Sequence, residues 1–331
     1  METIYPAQHL SVQQLKSDPQ NGYSNYLHIK VPSYPRPELH VAHLSHCTDQ
    51  TGIFGILNDS GFRSPGYRGK RVVWFSLTVS RAELKEAEDR PMTIVHSDGT
   101  EEQYHPPTSR GTTEGQGDYG SGVLKTFATS PAFSSSSRLG SFCFTFPLQD
   151  VLDKYSQQFC GGQKPVMRVW NTVLYKQKVM YAVLVHSPSP TDQEEFCKFP
   201  ELKEEPGSIC AFREEPRPHF LWRPQAMSET HDFELVVNRK QNSLSVEPCS
   251  WYDENGKYRL RYFVWDEVAL ALHVREKVLR FEEPELKGAL SFCEMGAPPR
   301  PIAGFQSFEE AQREVPWPLQ RFSESDFAIN P

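Results

Sequence analysis

Residues 39–62 read LHVAHLSHCTDQTGIFGILNDSGF, and they pass from one secondary-structure period to another within two dozen positions. Residues 39–44 (LHVAHL) alternate like a strand, whereas Ile53, Phe54, Ile56 and Leu57 recur at helical spacing. Asp49 stands where an N-cap is wanted, Gly61 where a left-handed C-cap is wanted, and Phe62 is placed to fold back onto the helix. Strand, turn, helix and return predict a mixed α+β chain.

Working outward, residues 71–77 (RVVWFSL) form a short apolar run typical of a buried strand, and residues 80–85 are helix-like. Residues 97–140 are rich in Gly, Ser, Thr and Pro and are expected to be a mobile insertion. A strand follows over 140–146, with Phe142, Phe144 and Phe146 on one face, then a helix over 148–159 and strands over 166–170 and 178–185. Pro188 and Pro190 end this block. The resulting division is an N-terminal arm (1–34), a main domain (35–190), an acidic Pro-rich linker (191–230) and a smaller, mainly β C-terminal region (231–331). Asn255-Gly256 marks a hairpin there. Residues 268–274 fit either a strand or a helix capped by Asp266, and the Pro-rich end is expected to wrap the surface.

The chain has 331 residues, 38% apolar and 23% charged, with 27 prolines, which suits a globular protein with long irregular connections. It has no apolar run of about 18 residues, so no membrane span is expected. Met1 to Pro6 has neither a basic start nor an apolar stretch, so a cytoplasmic or nuclear location without a secretory leader is expected. That address makes the sequon at Asn58 irrelevant. Seven scattered cysteines without a Cys-x-x-Cys pair fit reduced thiols better than a disulfide framework. A net charge of −7 argues against general nucleic-acid binding. His43 and His46 lack nearby ligands at metal spacing, so no metal is expected.

His46-Cys47-Thr48 at the end of the first strand, the following IFGILNDSGF, the VVWFSLTVSRA of residues 72–82 and the NTVLYKQKVMYAVLV of residues 171–185 occur in an order that resembles the poly(ADP-ribose)-polymerase branch of the ADP-ribosyltransferase-like fold. The resemblance spans roughly residues 38–188 and implies a split antiparallel sheet with short helices. It implies that His46, Cys47 and Thr48 match the family's His-Gly-Thr motif, with Cys47 in place of glycine. It further implies that Trp74 stands in for the stacking tyrosine, Ala82 for the nicotinamide-contacting serine and Thr172 for the catalytic glutamate. An alternative register places Gln177 or Lys178 at the active position, and neither is an acid.

Cleavage of the nicotinamide–ribose bond develops positive charge that a preorganised carboxylate stabilises, and loss of such a group commonly costs about 3 kcal/mol of barrier. Threonine offers no charge. The resemblance therefore implies a pseudoenzyme without a cofactor, acting through protein partners as an interaction or regulatory module, as in innate-immune or chromatin-silencing machinery. The rivals are an active, divergent transferase using NAD, and a reader of ADP-ribose or nucleotides. The SWYDENGKYRLRYF of residues 250–263 also looks like the opening of a WWE module, although a plain hairpin explains it as well.

Each residue also has a plainer explanation. His46 fits a hydrogen-bonded histidine at a strand end, and Trp74, Phe75, Phe142, Phe144 and Trp170 fit core aromatics. Cys47 beside His46 does not make a nucleophile pair, because neighbours on a strand point to opposite faces.

Overall fold

Two apolar runs meet in the middle of one sheet, and one of them comes from the region expected to stand apart. A computed structural model describes residues 2–21, 34–64, 66, 71–95, 100–104, 140–175, 178–225, 233–238, 243–248, 251–252, 258–259, 265–292, 300–315 and 322–323. Its main sheet has nine strands, numbered here in chain order: β1 (Glu2–Pro6), β2 (His43–Thr48), β3 (Val72–Leu77), β4 (Phe142–Pro147), β5 (Val166–Tyr175), β6 (Lys178–His186), β7 (Trp265–His273), β8 (Leu290–Phe292) and β9 (Arg300–Pro301). Their spatial order is β1-β5-β6-β7-β3-β2-β4-β8-β9. Only β6 and β7 pair in parallel; the other neighbours are antiparallel.

The helices among the described residues are short: α1 (Val12–Ser17), α2 (Gln50–Asp59), α3 (Arg81–Glu88), α4 (Leu148–Phe159), α5 (Pro190–Phe196), α6 (Glu283–Ala289) and α7 (Phe308–Glu314). Local chemistry sets their ends. Asp49 accepts the Gly52 N–H at the start of α2, and Ser80 and Glu83 close a reciprocal capping box on α3. The left-handed residue ending α2 is Ser60 (φ 50°), not Gly61. Gly61 is needed for another reason: a Cβ there would lie 2.2 Å from the Leu279 carbonyl oxygen of the strand Val278–Arg280, with which Gly61–Arg63 pairs.

Several boundaries drawn from sequence change. The N-terminal arm contributes edge strand β1, paired with β5 from Glu2↔Tyr175 to Pro6↔Asn171. The C-terminal region sends β7 into the sheet centre, between β6 and β3, so its sheet is continuous with the main domain's. Of residues 268–274, which sequence alone leaves between strand and helix, 268–273 are strand because neighbours pair with them on both sides. The acidic linker holds α5 and the strands Cys210–Arg213 and His219–Trp222, which join Leu39–Val41 in a three-stranded sheet. Its paired glutamates are exposed while Phe196 and Phe199 between them, and Phe220 and Leu221 after them, are buried. Charge density hid the apolar pattern. The expected insertion lies largely outside the described residues; within it Glu101–Tyr104 form a strand, and Gly140 at its end is described. Trp251–Tyr252 and Tyr258–Arg259, which flank the expected Asn255-Gly256 turn, pair antiparallel, and the turn itself lies outside the described residues. At the Pro-rich end, Ile302, Phe305, Ala311, Val315 and Phe322 are buried rather than merely draped over the surface.

Directly opposed residues share a face of a sheet. One face carries Phe75, Leu270, Tyr181 and Phe144, all buried, and Phe62 meets Phe75, Phe144, Phe146 and Phe281 edge-on at centroid distances of 5.2, 5.5, 6.0 and 5.6 Å. The other face carries Val72, Trp74, Ala271 and Leu184, which pack with Phe196 and Phe199 beyond α5. Among the described residues no helix is long and apolar enough to cross a membrane.

Candidate functional site

The motif positions do not assemble into one cleft. His46, late in β2, belongs to the aromatic face: its ring packs edge-on against Phe62 (4.9 Å) and Phe75 (5.7 Å). Its Nδ1–H donates to the Trp74 carbonyl at 2.7 Å, and burial holds its pKa below the ordinary histidine value, so the imidazole is neutral. Trp74 offers His46 only this carbonyl. Its indole projects from the opposite face and stacks on Trp170 at 5.6 Å with planes 9° apart.

Thr172, in β5, shares the face of His46 through the pairings Thr172↔Tyr181 and Tyr181↔Val268. Four strand spacings separate β5 from β2, a lateral distance of about 19 Å. Thr172 is fully buried, and both functions of its hydroxyl are used. It donates to the Gln8 carbonyl at 2.7 Å and accepts the Leu10 N–H at 2.9 Å. The segment following β1 thus lies over the position assigned to the glutamate. Ala82 is exposed near the start of α3, Cys47 points away from His46 toward Cys143, and Thr48 lies beneath α2 against Gly52. Lys178 opens β6, and Gln177 lies outside the described residues.

The opposite face has a cleft that sequence reading did not find. It encloses about 440 Å³ at the ends of β6 and β7 and is lined by Trp170, Arg71, Thr191, Asp192, His273 and Arg275, among others. Its floor is a buried polar cluster. Both central strands end in histidine, and Phe196 packs between the two rings, 5.1 Å from His186 and 4.9 Å from His273. His186 donates through Nδ1 to the Ser187 carbonyl and accepts at Nε2 from Arg168 Nε (2.9 Å), an arrangement that requires the neutral ring; burial lowers its pKa accordingly. Arg168 spends its other donors on the Phe199 carbonyl and Gln193.

Asp192 sits in the first turn of α5, placed by Ser189 at the N-cap and Pro190 at N1. Its side chain is 2% exposed; Oδ1 accepts from Arg275 Nη2 at 2.5 Å and Oδ2 lies 3.5 Å from His273 Nδ1. Arg275 holds a left-handed backbone (φ 56°), a conformation that costs a non-glycine residue energy and here turns the guanidinium back onto Asp192. The carboxylate in turn keeps the Arg275 pKa above its usual value. Arg71 pairs at 3.3 Å with exposed Glu276, a contact weak enough for an incoming anion to displace. The cleft therefore offers two guanidinium groups, an indole wall, a threonine hydroxyl and a carboxylate. The one sequence signal for it is a polar residue, His186 or His273, closing each apolar run.

Among the described residues no three His, Cys, Asp or Glu side chains gather as a metal site. No family model, no curated protein and no solved structure matches this chain.

Proposed function

We propose that this chain is a non-catalytic interaction module in which the ADP-ribosyltransferase-like resemblance survives as a scaffold and the transfer chemistry does not. One observation carries the reading: the Thr172 hydroxyl is fully buried and consumed by Gln8 and Leu10, so the place assigned to the catalytic acid has neither charge nor room for a dinucleotide. The enclosed neutral His46 and the outward-facing Trp74 support it. Incubation of the full chain with NAD is expected to release no nicotinamide. Turnover at an ordinary enzymatic rate that is lost in His46→Ala would refute the reading.

A second reading concerns what is bound. The cleft pairs the Trp170 indole with Arg71 and Arg275, suited to a base and phosphates, and sets the Thr191 hydroxyl where a ribose hydroxyl finds an acceptor. On this reading the module takes nucleotide-type ligands such as ADP-ribose. Calorimetric titration with ADP-ribose and NAD is expected to give saturable binding that weakens at least about tenfold in Trp170→Ala, the scale of a lost stacking contact. Flat titrations would leave protein partners as the module's only targets.

A further inference from the structure

Cys47 and Cys143 are 96 positions apart in sequence yet face each other across β2 and β4, with their Sγ atoms 2.7 Å apart. The pairing runs unbroken from His43↔Pro147 through Cys47↔Cys143 to Thr48↔Phe142. Gly140 pins the register just beyond it. Its φ is +95°, and a Cβ there would fall 2.1 Å from the Thr48 carbonyl oxygen, so the two backbones are already at closest approach beside the cysteines. Cys143 is buried, whereas Cys47 is half-buried and reachable from solvent.

We propose that Cys47 and Cys143 are a redox-responsive pair that closes to a cross-strand disulfide under oxidising conditions and reopens under reducing ones. The oxidant class is a hydroperoxide. The Cys47 thiolate attacks the peroxide, forming an S–O bond as the O–O bond breaks and an alcohol, or water from hydrogen peroxide, departs. The Cys143 thiolate then attacks the Cys47 sulfenic acid, forming the S–S bond while the S–O bond breaks and water leaves. Two thiols are thus oxidised by two electrons and one peroxide is reduced. Directly opposed residues on neighbouring strands have Cβ atoms about 4.5 to 5.5 Å apart, against about 3.8 Å in a relaxed disulfide, so a bond closed between strands that cannot approach further is strained and stays easy to reduce. Two other described thiols, Cys160 and Cys210, are poor competitors. Burial raises the Cys160 pKa to about 11 and pushes that of Cys210 up as well.

The test exposes the full chain to hydrogen peroxide, blocks remaining thiols with a maleimide and maps peptides without reduction. A linked Cys47–Cys143 peptide pair that dithiothreitol separates is the expected result. Closing so long a loop should raise the melting temperature by about 5 °C, and the rise should be absent in Cys143→Ser. Recovery of both cysteines as maleimide adducts, or of Cys47 as sulfinic acid beside an unmodified Cys143, would overturn the proposal. The wild-type map decides the matter even where the variant fails to fold.

Discussion

Replacing Thr172 by valine nearly keeps the shape of a fully buried side chain and exchanges its hydroxyl for a methyl group. Two contacts disappear, the bond accepted from the Leu10 N–H at 2.9 Å and the bond donated to the Gln8 carbonyl at 2.7 Å. Their consequences are unequal. Leu10 is half-buried, so its N–H loses a partner that water replaces poorly, at a cost of about 1 to 2 kcal/mol, whereas Gln8 is exposed and its carbonyl rehydrates at a cost of about 0.5 kcal/mol. Thr172→Val should therefore destabilise the chain by about 2 kcal/mol, read as a lower urea midpoint at unchanged slope. Because both contacts anchor the segment that follows β1, amide exchange should accelerate at residues 2–10 more than in β6 or β7. A stability change under about 0.5 kcal/mol, together with unaltered exchange at Leu10, would refute the claim that this hydroxyl is structural. Thr172→Glu should not restore NAD cleavage, because an unpaired carboxylate at this site lacks solvent and cation alike.

Acid should weaken the fold through His9, whose pKa burial lowers to about 4, a shift only partly offset by its hydrogen bond with the Ala182 backbone. Below its ordinary value of 6.5 the unfolded chain takes up the proton first, so stability is intact above pH 6.5 and is lost between there and pH 4, by about 3 kcal/mol in all; His46 and His186 act in the same direction. Urea midpoints at pH 7 and pH 4.5 should show the slope, and His9→Phe should flatten it. His43 opposes this trend, because its hydrogen bond with Glu83 raises its pKa and so favours the folded state at low pH. Gly140→Ala should cost about 3 kcal/mol or more in thermal or chemical melts, since the new Cβ meets Thr48 backbone that cannot rotate away. Arg275→Ala should cost about 2 kcal/mol, less than for a fully buried pair because the arginine is half exposed, and the same change should weaken any anionic ligand in the cleft.

Local periodicity carried much of the fold. The strand at β2, the Asp49-capped α2, the helical start of α3, the three phenylalanines of β4 and the span of α4 all depend on neighbours within a few positions, which is where propensity and capping act. The partners of those elements were not legible. β1 and β7 find their places through hydrogen bonds to strands far along the chain, and the strands of the acidic segment owe their burial to Leu39–Val41, more than a hundred residues earlier.

The candidate site shows the same division. Sequence order placed His46, Trp74 and Thr172 in family-like positions, but whether three side chains share a cleft depends on which face each takes and how many strands intervene, and neither is encoded in spacing along the chain. The cleft at Asp192, His273 and Arg275 joins the start of one helix to the end of a strand some eighty residues later. By itself the sequence determined the α+β class, the short elements with their caps, and the absence of an acid at Thr172, because composition and near-neighbour periodicity suffice for these. Only tertiary structure decided that Thr172 is occupied by the chain's own beginning, that two cysteines meet, and that the open cleft lies on the other face, because each follows from long-range strand pairing.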